Sequence, residues 1–244
     1  YFEDLYPDYL SNPPEDPPAI QIGSIGNLVF DGNNSNYSFS VANPAQLATV
    51  AENGTVHDVM NLPDCVYGDK LLFMRATANT TFIYSQVIND AYLSSTNNAP
   101  YEDEDLSKQM AIVARMIKGG LSTKVYMVTL NGFDTHANQL DYQRTLLEDL
   151  SDSIKNFYTD LETAGMSDKV LTMTISEFGR RPYENGSDGT DHGAASPVLL
   201  FGDGLQGSGF VGNHPNLTEW DVNDNLIPTS DFRDVYSTVL TDWF

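Results

Sequence analysis

Val125-Tyr126-Met127-Val128-Thr129-Leu130 is an unbroken apolar and partly β-branched run, bounded by Gly119-Gly120 before it and Asn131-Gly132 after it. A run of that length between turn signals reads as a buried strand. From about Ala137 to Ala164, the residues Leu147, Leu150, Ile154, Phe157 and Leu161 recur at alternating steps of three and four, and Gly165 follows as a stop. That spacing predicts a long amphipathic helix. Val170 to Ile175 then repeats the strand pattern. Strand, helix and strand form a β-α-β unit expected to be parallel and right-handed. The fold class is therefore α/β, a mainly parallel sheet flanked by helices.

Upstream of this unit, Leu106, Met110, Val113 and Ile117 stand at helical spacing, and Phe82, Ile83, Val87, Ile88 and Ala91 predict a further helix over 80–92. The acidic cluster Glu102 to Asp105 sits at the start of the later helix, where the helix dipole favours negative charge. Downstream, a third apolar run covers Val198 to Phe201, and a closing helix starts near Asp231. Residues 1–64 are rich in Pro, Asn, Gly and Ser, with apolar bursts at Ala19 to Ile25, Leu28 to Phe30 and Tyr37 to Val41. They read as a loop-rich segment with short strands packed on a core formed by 65–244.

The 244 residues carry 34 acidic against 12 basic side chains, a formal charge of −22. Such a field repels phosphate-rich polymers, so neither nucleic acid nor an anionic membrane surface is an expected partner. No apolar run approaches the ~18 residues of a membrane span. Cys65 is the single cysteine, which excludes an internal disulfide and reads as a small, partly buried side chain. The sequence opens at Tyr1 without Met and closes at Phe244 inside a helical pattern, as an internal piece of a longer protein does.

In open parallel sheets, ligands bind beyond the carboxyl ends of the strands. After the first strand stands Asn131-Gly132-Phe133-Asp134-Thr135-His136, and after the second Ser176-Glu177-Phe178-Gly179-Arg180. The long connection towards the third run holds Gly189-Thr190-Asp191-His192-Gly193. Imidazole and carboxylate together suit a divalent transition metal, and Asp134, His136, Glu177, Asp191 and His192 offer up to five ligands from three loops. Zinc or manganese is the expected ion, with calcium as the further option. Arg180 is the candidate catalytic residue, since a guanidinium meets phosphate or sulfate oxygens in pairs. Plainer roles stay open for each group: Asp134 or Thr135 as a helix cap, Glu177 as a partner of Arg180, Asp191-His192 as a turn. His57 and His214 lie in polar loops and read as surface residues. Asp221, Asn223 and Asn225 imitate the start of a calcium loop but lack its glycine and its distal glutamate.

These motifs resemble the bacterial domain-of-unknown-function family 1501, related to the alkaline phosphatase and sulfatase superfamily. The resemblance runs through Ala114-Arg115-Met116-Ile117, Gly119-Gly120-Leu121, Gly132-Phe133-Asp134-Thr135-His136 with Gln139, and Leu146-Leu147. It continues through Ser176-Glu177-Phe178-Gly179-Arg180, Glu184-Asn185-Gly186, Gly189-Thr190-Asp191-His192-Gly193 and Asp231-Phe232-Arg233-Asp234-Val235-Tyr236, covering about 106–244. It implies an alkaline-phosphatase-like fold, incomplete in this sequence, in an exported protein that is secreted, periplasmic or on the cell surface. It also implies a metal site acting on a small anionic ester, or else a surface module that keeps the fold and binds another surface protein. Where phosphatases and sulfatases show an acidic residue followed by His or Asn, this sequence has Glu177-Phe178-Gly179. The superfamily's upstream acidic ligand and nucleophile are not found here, so hydrolysis is expected of the parent protein, with the remainder of that chain as a partner.

Overall fold

The computed structural model describes residues 1–23, 27–33 and 35–244; Ile25, at the end of the first apolar burst, lies outside them. The chain is mixed α/β and divides into two compact units. Unit 1 comprises 1–130 with 152–166, and unit 2 comprises 131–151 with 167–244.

Unit 1 is built on β1 (Ala19–Ile22), β2 (Ser38–Val41) and β3 (Val125–Met127), a parallel sheet in the order β2-β1-β3. Ile20 pairs with Phe39 on one side and with Tyr126 on the other. β1 is buried along its whole length, with Ala19 and Ile20 fully inaccessible, whereas β3 is half-buried. The buried strand expected at 125–130 is thus an outer strand, and the centre of the sheet comes from the loop-rich amino-terminal segment. A parallel partner about a hundred residues away leaves no trace in local periodicity, so the order of strands could not be read from spacing.

β3 also stops three residues short of Leu130. The side-chain amide of Gln109 binds the backbone of Thr129 from both ends, accepting from its N–H at 2.9 Å and donating to its carbonyl at 2.9 Å. A backbone satisfied in this way needs no ladder partner.

Helices α1 (Phe2–Leu5), α2 (Pro44–Asn53), α3 (Val66–Ser94) and α4 (Asp105–Lys118) complete most of unit 1. α3 begins fourteen residues before the expected start at Thr80. Its buried stripe, Ala76, Asn79, Tyr84, Ile88 and Ala91, includes a polar residue that interrupts the apolar pattern. Asn79 is tolerated there because its amide bonds the backbone N–H and carbonyl of His57 at 2.7 and 2.9 Å. Cys65 stands exposed at the start of α3 instead of partly buried. Tyr84 meets Phe39 edge-on at 5.8 Å and joins Ile20, Val41, Ile88, Met116 and Leu161 in the core. α4 ends at Gly119, where any Cβ would lie 2.0 Å from the carbonyl oxygen of Ala91, so the close approach of the α4 terminus to α3 requires glycine.

α5 (Gln139–Glu162) matches the expected long helix; residues up to Ser151 belong to unit 2 and the rest to unit 1. Within unit 1 it contributes Ile154, Phe157 and Leu161 to the core, together with the fully buried Asp160. The Asp160 carboxylate accepts from Lys118 Nζ at 2.5 Å, Asn97 Nδ2 at 2.9 Å, the Asn98 N–H at 2.9 Å and the Tyr101 hydroxyl at 3.1 Å. Burial pushes its pKa up, but Lys118 and the amide donors outweigh burial and hold it below the usual carboxylate range.

Unit 2 contains β4 (Thr172–Met173), β5 (Gly179–Arg180), β6 (His192–Gly193), β7 (Leu200–Phe201) and α6 (Phe232–Asp242). β4 pairs antiparallel with β7, and β5 antiparallel with β6. The expected parallel β-α-β unit is therefore corrected: its two strands belong to different sheets, β3 pairing parallel with β1 and β4 antiparallel with β7. The apolar pattern at 170–175 signalled an extended segment without identifying its neighbour. Among the described residues, no helix is long and apolar enough to cross a membrane.

Candidate metal centre

Two loops of unit 2 build the site. The first, 131–138, leads into α5 through two backbone positions with positive φ, Gly132 at +110° and Asn138 at +47°. It does not use Asp134 or Thr135 as a helix cap: Thr135 is buried, and the Asp134 carboxylate points at Arg180 and His192. The second loop, 181–193, returns along the first. The Asn138 N–H donates to the Ser187 carbonyl at 3.0 Å, that of Gln139 to Asp188 at 2.8 Å, and that of Thr190 to Thr135 at 3.2 Å. The two backbones approach so closely at Gly189 that a Cβ there would lie 2.3–2.5 Å from backbone atoms of His136 and Ala137.

β5 and β6 set the remaining side chains. Their register makes Arg180 and His192 direct cross-strand partners, flanked by the Gly179–Gly193 pair. Residues directly opposite in an antiparallel ladder project to the same face. Phe178 lies flat against the His192 ring, centroids 3.8 Å apart and planes 10° apart, which fixes that imidazole in rotation.

Asp134 Oδ1 is the focus. His192 Nε2 stands 2.8 Å from it, His136 Nε2 2.9 Å and Arg180 Nη1 3.0 Å. One ligand atom each from Asp134, His136 and His192 fall within 4.8 Å of one another. Metal–nitrogen and metal–oxygen bonds of about 2.0–2.2 Å put neighbouring donors roughly 2.8–3.6 Å apart. The two measured separations lie at the short end of that span, and they are equally the lengths of direct hydrogen bonds. All three side chains are about half exposed, which leaves room for further ligands from solution.

The hydrogen-bond pattern at His136 bears on the same question. Its Nδ1 faces Asp191 Oδ1 at 3.1 Å while its Nε2 faces Asp134. A neutral imidazole has a single N–H, so one of its nitrogens presents a lone pair to a carboxylate. The Asp134 carboxyl is kept below the usual carboxylate range, first by the His192 hydrogen bond and then, against partial burial, by Arg180 and His136. The Asp191 carboxyl is lowered first by Asn185 and then by His136. Both are thus available as anions at neutral pH.

Of the expected site residues, Asp134, His136 and His192 converge, and Arg180 adjoins them. Its Nε donates to Thr190 Oγ1 at 3.0 Å and its Nη2 reaches Thr135 Oγ1 at 3.5 Å, so its partner is Asp134 and not Glu177. Among the described residues, Asp191 reaches the cluster through His136 Nδ1. Glu177 is exposed and is not one of the three converging donors. Thr190, Phe178 and Asn185 had no assigned role in the sequence, and Thr135 only that of a helix cap, although each lies within or beside the motifs quoted above. His214 is a surface residue bonded to the neighbouring Pro215 carbonyl. Asp221 turns its carboxylate onto the Asn223 and Asn225 N–H groups, as an ordinary turn does.

Fold and site together define an α/β protein with a half-exposed two-histidine, one-aspartate cluster set between two interlocked loops. The chain belongs to the family described as "Protein of unknown function (DUF1501)", whose match spans residues 68–242 and includes every residue of the cluster. No curated protein and no solved structure matches it.

Proposed function

We propose that Asp134, His136 and His192 hold one divalent metal ion, zinc or manganese, and that the protein belongs to a metal-dependent hydrolase of small phosphate or sulfate esters. The observation that carries this reading is the convergence of two imidazole nitrogens on one carboxylate oxygen at 2.8 and 2.9 Å, on a face open to solvent. The donor set is of the kind that transition metals prefer. When bound, such an ion supplies Lewis acidity for ester cleavage. Arg180 binds and orients the anionic group: its guanidinium is fixed by Thr190 and Asp134 beside the cluster and is suited to paired contacts with phosphate or sulfate oxygens. The resemblance of the ordered Asp and His loops to alkaline phosphatases and sulfatases supports the same substrate class and an exported location. The net charge of −22 argues against polymeric polyanions as substrates.

A second reading is a cell-surface module that keeps the cluster without catalysis. It is favoured by the fact that the three contacts of Asp134 Oδ1 with His136, His192 and Arg180 close with protons alone. The test is a screen of aryl phosphates and aryl sulfates against zinc- and manganese-loaded full-length protein, its Asp134→Ala variant and its Arg180→Ala variant. Hydrolysis that disappears with Asp134→Ala and shows a raised KM with Arg180→Ala supports the enzyme. Metal bound without turnover of any ester supports the surface module.

A further inference from the structure

We infer that Asn185 and Asp191 are a positioning pair for His136: Asp191 holds the ring by Nδ1 and Asn185 holds Asp191, so that Nε2 is presented to the metal. This rests on the reading of the cluster as a metal centre, and it gives Asp191 a different task from the ligand role its sequence position suggests. Asp191 Oδ1 lies 3.1 Å from His136 Nδ1, while the other ring nitrogen faces Asp134 Oδ1 at 2.9 Å. The two nitrogens of an imidazole point away from each other, so Asp191 stands behind the ring as seen from the converging donors. A carboxylate in that position fixes the tautomer with hydrogen on Nδ1 and leaves the Nε2 lone pair for a cation.

Asn185 determines where that carboxylate sits. Its Nδ2 donates to Asp191 Oδ1 at 3.2 Å and to the His136 carbonyl at 3.0 Å. Its Oδ1 accepts from the Ser187 N–H at 2.9 Å and the Gly189 N–H at 3.2 Å. A side-chain amide has two N–H donors and one carbonyl oxygen with two lone pairs, and all four are used. A flipped amide would set its oxygen against two acceptors and its N–H groups against two donors, so the orientation is fixed. One residue thereby ties the loop carrying His136 to the loop carrying Asp191 and His192.

The experiment uses the full-length protein labelled with 15N-histidine, with circular dichroism to check that each variant is folded. In the metal-free Asp134→Ala variant, where Asp134 no longer competes for Nε2–H, and at a pH where the ring is neutral, two-bond proton–nitrogen correlation spectra should place the His136 hydrogen on Nδ1. Adding Asp191→Ala to that variant should abolish the preference. Zinc calorimetry should then give a 10–100-fold lower affinity for Asp191→Ala and for Asn185→Asp, at unchanged stoichiometry. Asp191→Asn keeps an acceptor for Nδ1–H and should restore part of the affinity. An Asp191→Asn variant as damaged as Asp134→Ala would make Asp191 a direct ligand and overturn the inference. A wild type that binds no zinc ends the metal reading by itself. The tautomer spectra still decide the pair in that case, and a His136 tautomer indifferent to Asp191→Ala would overturn it.

Discussion

Replacing Asp160 by Asn removes one negative charge and little volume from the interior of unit 1. The carboxylate is completely buried, and the side chain of Lys118, its counter-ion at 2.5 Å, is 5% exposed. Lys118 has a second acceptor in the Thr96 carbonyl, but no other carboxylate forms an ion pair with it among the described residues. The substitution would therefore leave an ammonium group in the interior with no compensating charge. It would also lose an acceptor oxygen among four donors: Lys118, Asn97, the Asn98 N–H and Tyr101. Breaking a buried pair from one side costs about 3–5 kcal/mol, against roughly 0–1 kcal/mol for an exposed pair. The same loss lowers the melting temperature by about 6–20 °C for a chain of this size. Urea unfolding followed by circular dichroism measures it, with the slope unchanged. The double variant Asp160→Asn with Lys118→Met should recover part of the loss, because the unpaired charge is gone. Because the folded-state pKa of Asp160 lies below its unfolded value of about 3.9, the stabilisation is present above that value and disappears as pH falls through the folded one. The stability of Asp160→Asn should accordingly vary less across the acid range than that of the wild type. A penalty under about 1 kcal/mol would mean that the pair behaves as an exposed one, and would refute the reasoning.

Three further outcomes follow from particular contacts. Gly189→Ala forces a Cβ to within 2.5 Å of the His136 and Ala137 backbones, so metal titration should show a loss of affinity of at least about tenfold while urea stability falls by about 1–3 kcal/mol. Glu177→Ala should leave metal affinity and stoichiometry unchanged in the same titration, because Glu177 is exposed and outside the converging donors. Gln109→Leu removes both partners of the exposed Thr129 backbone, which water replaces, and should cost about 1 kcal/mol or less in urea unfolding, with faster hydrogen exchange at the Thr129 amide.

The parts of the fold that repeat locally could be read from the sequence. α4 and α5 each carry an apolar stripe at helical spacing, and Gly119 closes the first of them, so both fall within a few residues of where periodicity puts them. Pairing partners could not be read, since a four-residue strand such as β1 announces neither its burial nor its neighbours. The end of β3 was hidden for a related reason: it is set by the amide of Gln109, twenty residues upstream. At the site, Asp134 and His136 stood out in the loop after the first extended segment and His192 between Gly189 and Gly193, and the structure brings those three together. Glu177 likewise follows an extended segment in sequence yet is exposed and outside the three converging donors, a difference that spacing alone does not carry. The role of Asn185 depends on the direction of its amide, which only coordinates reveal.

Zinc K-edge X-ray absorption of the full-length protein loaded with one equivalent of zinc tests the central claim most directly. Two imidazole nitrogens and a carboxylate oxygen at about 2.0–2.2 Å, with the histidine signal reduced by one ring in His192→Ala, is the predicted result. A shell of oxygen atoms alone, or one indifferent to His136 and His192, would contradict it.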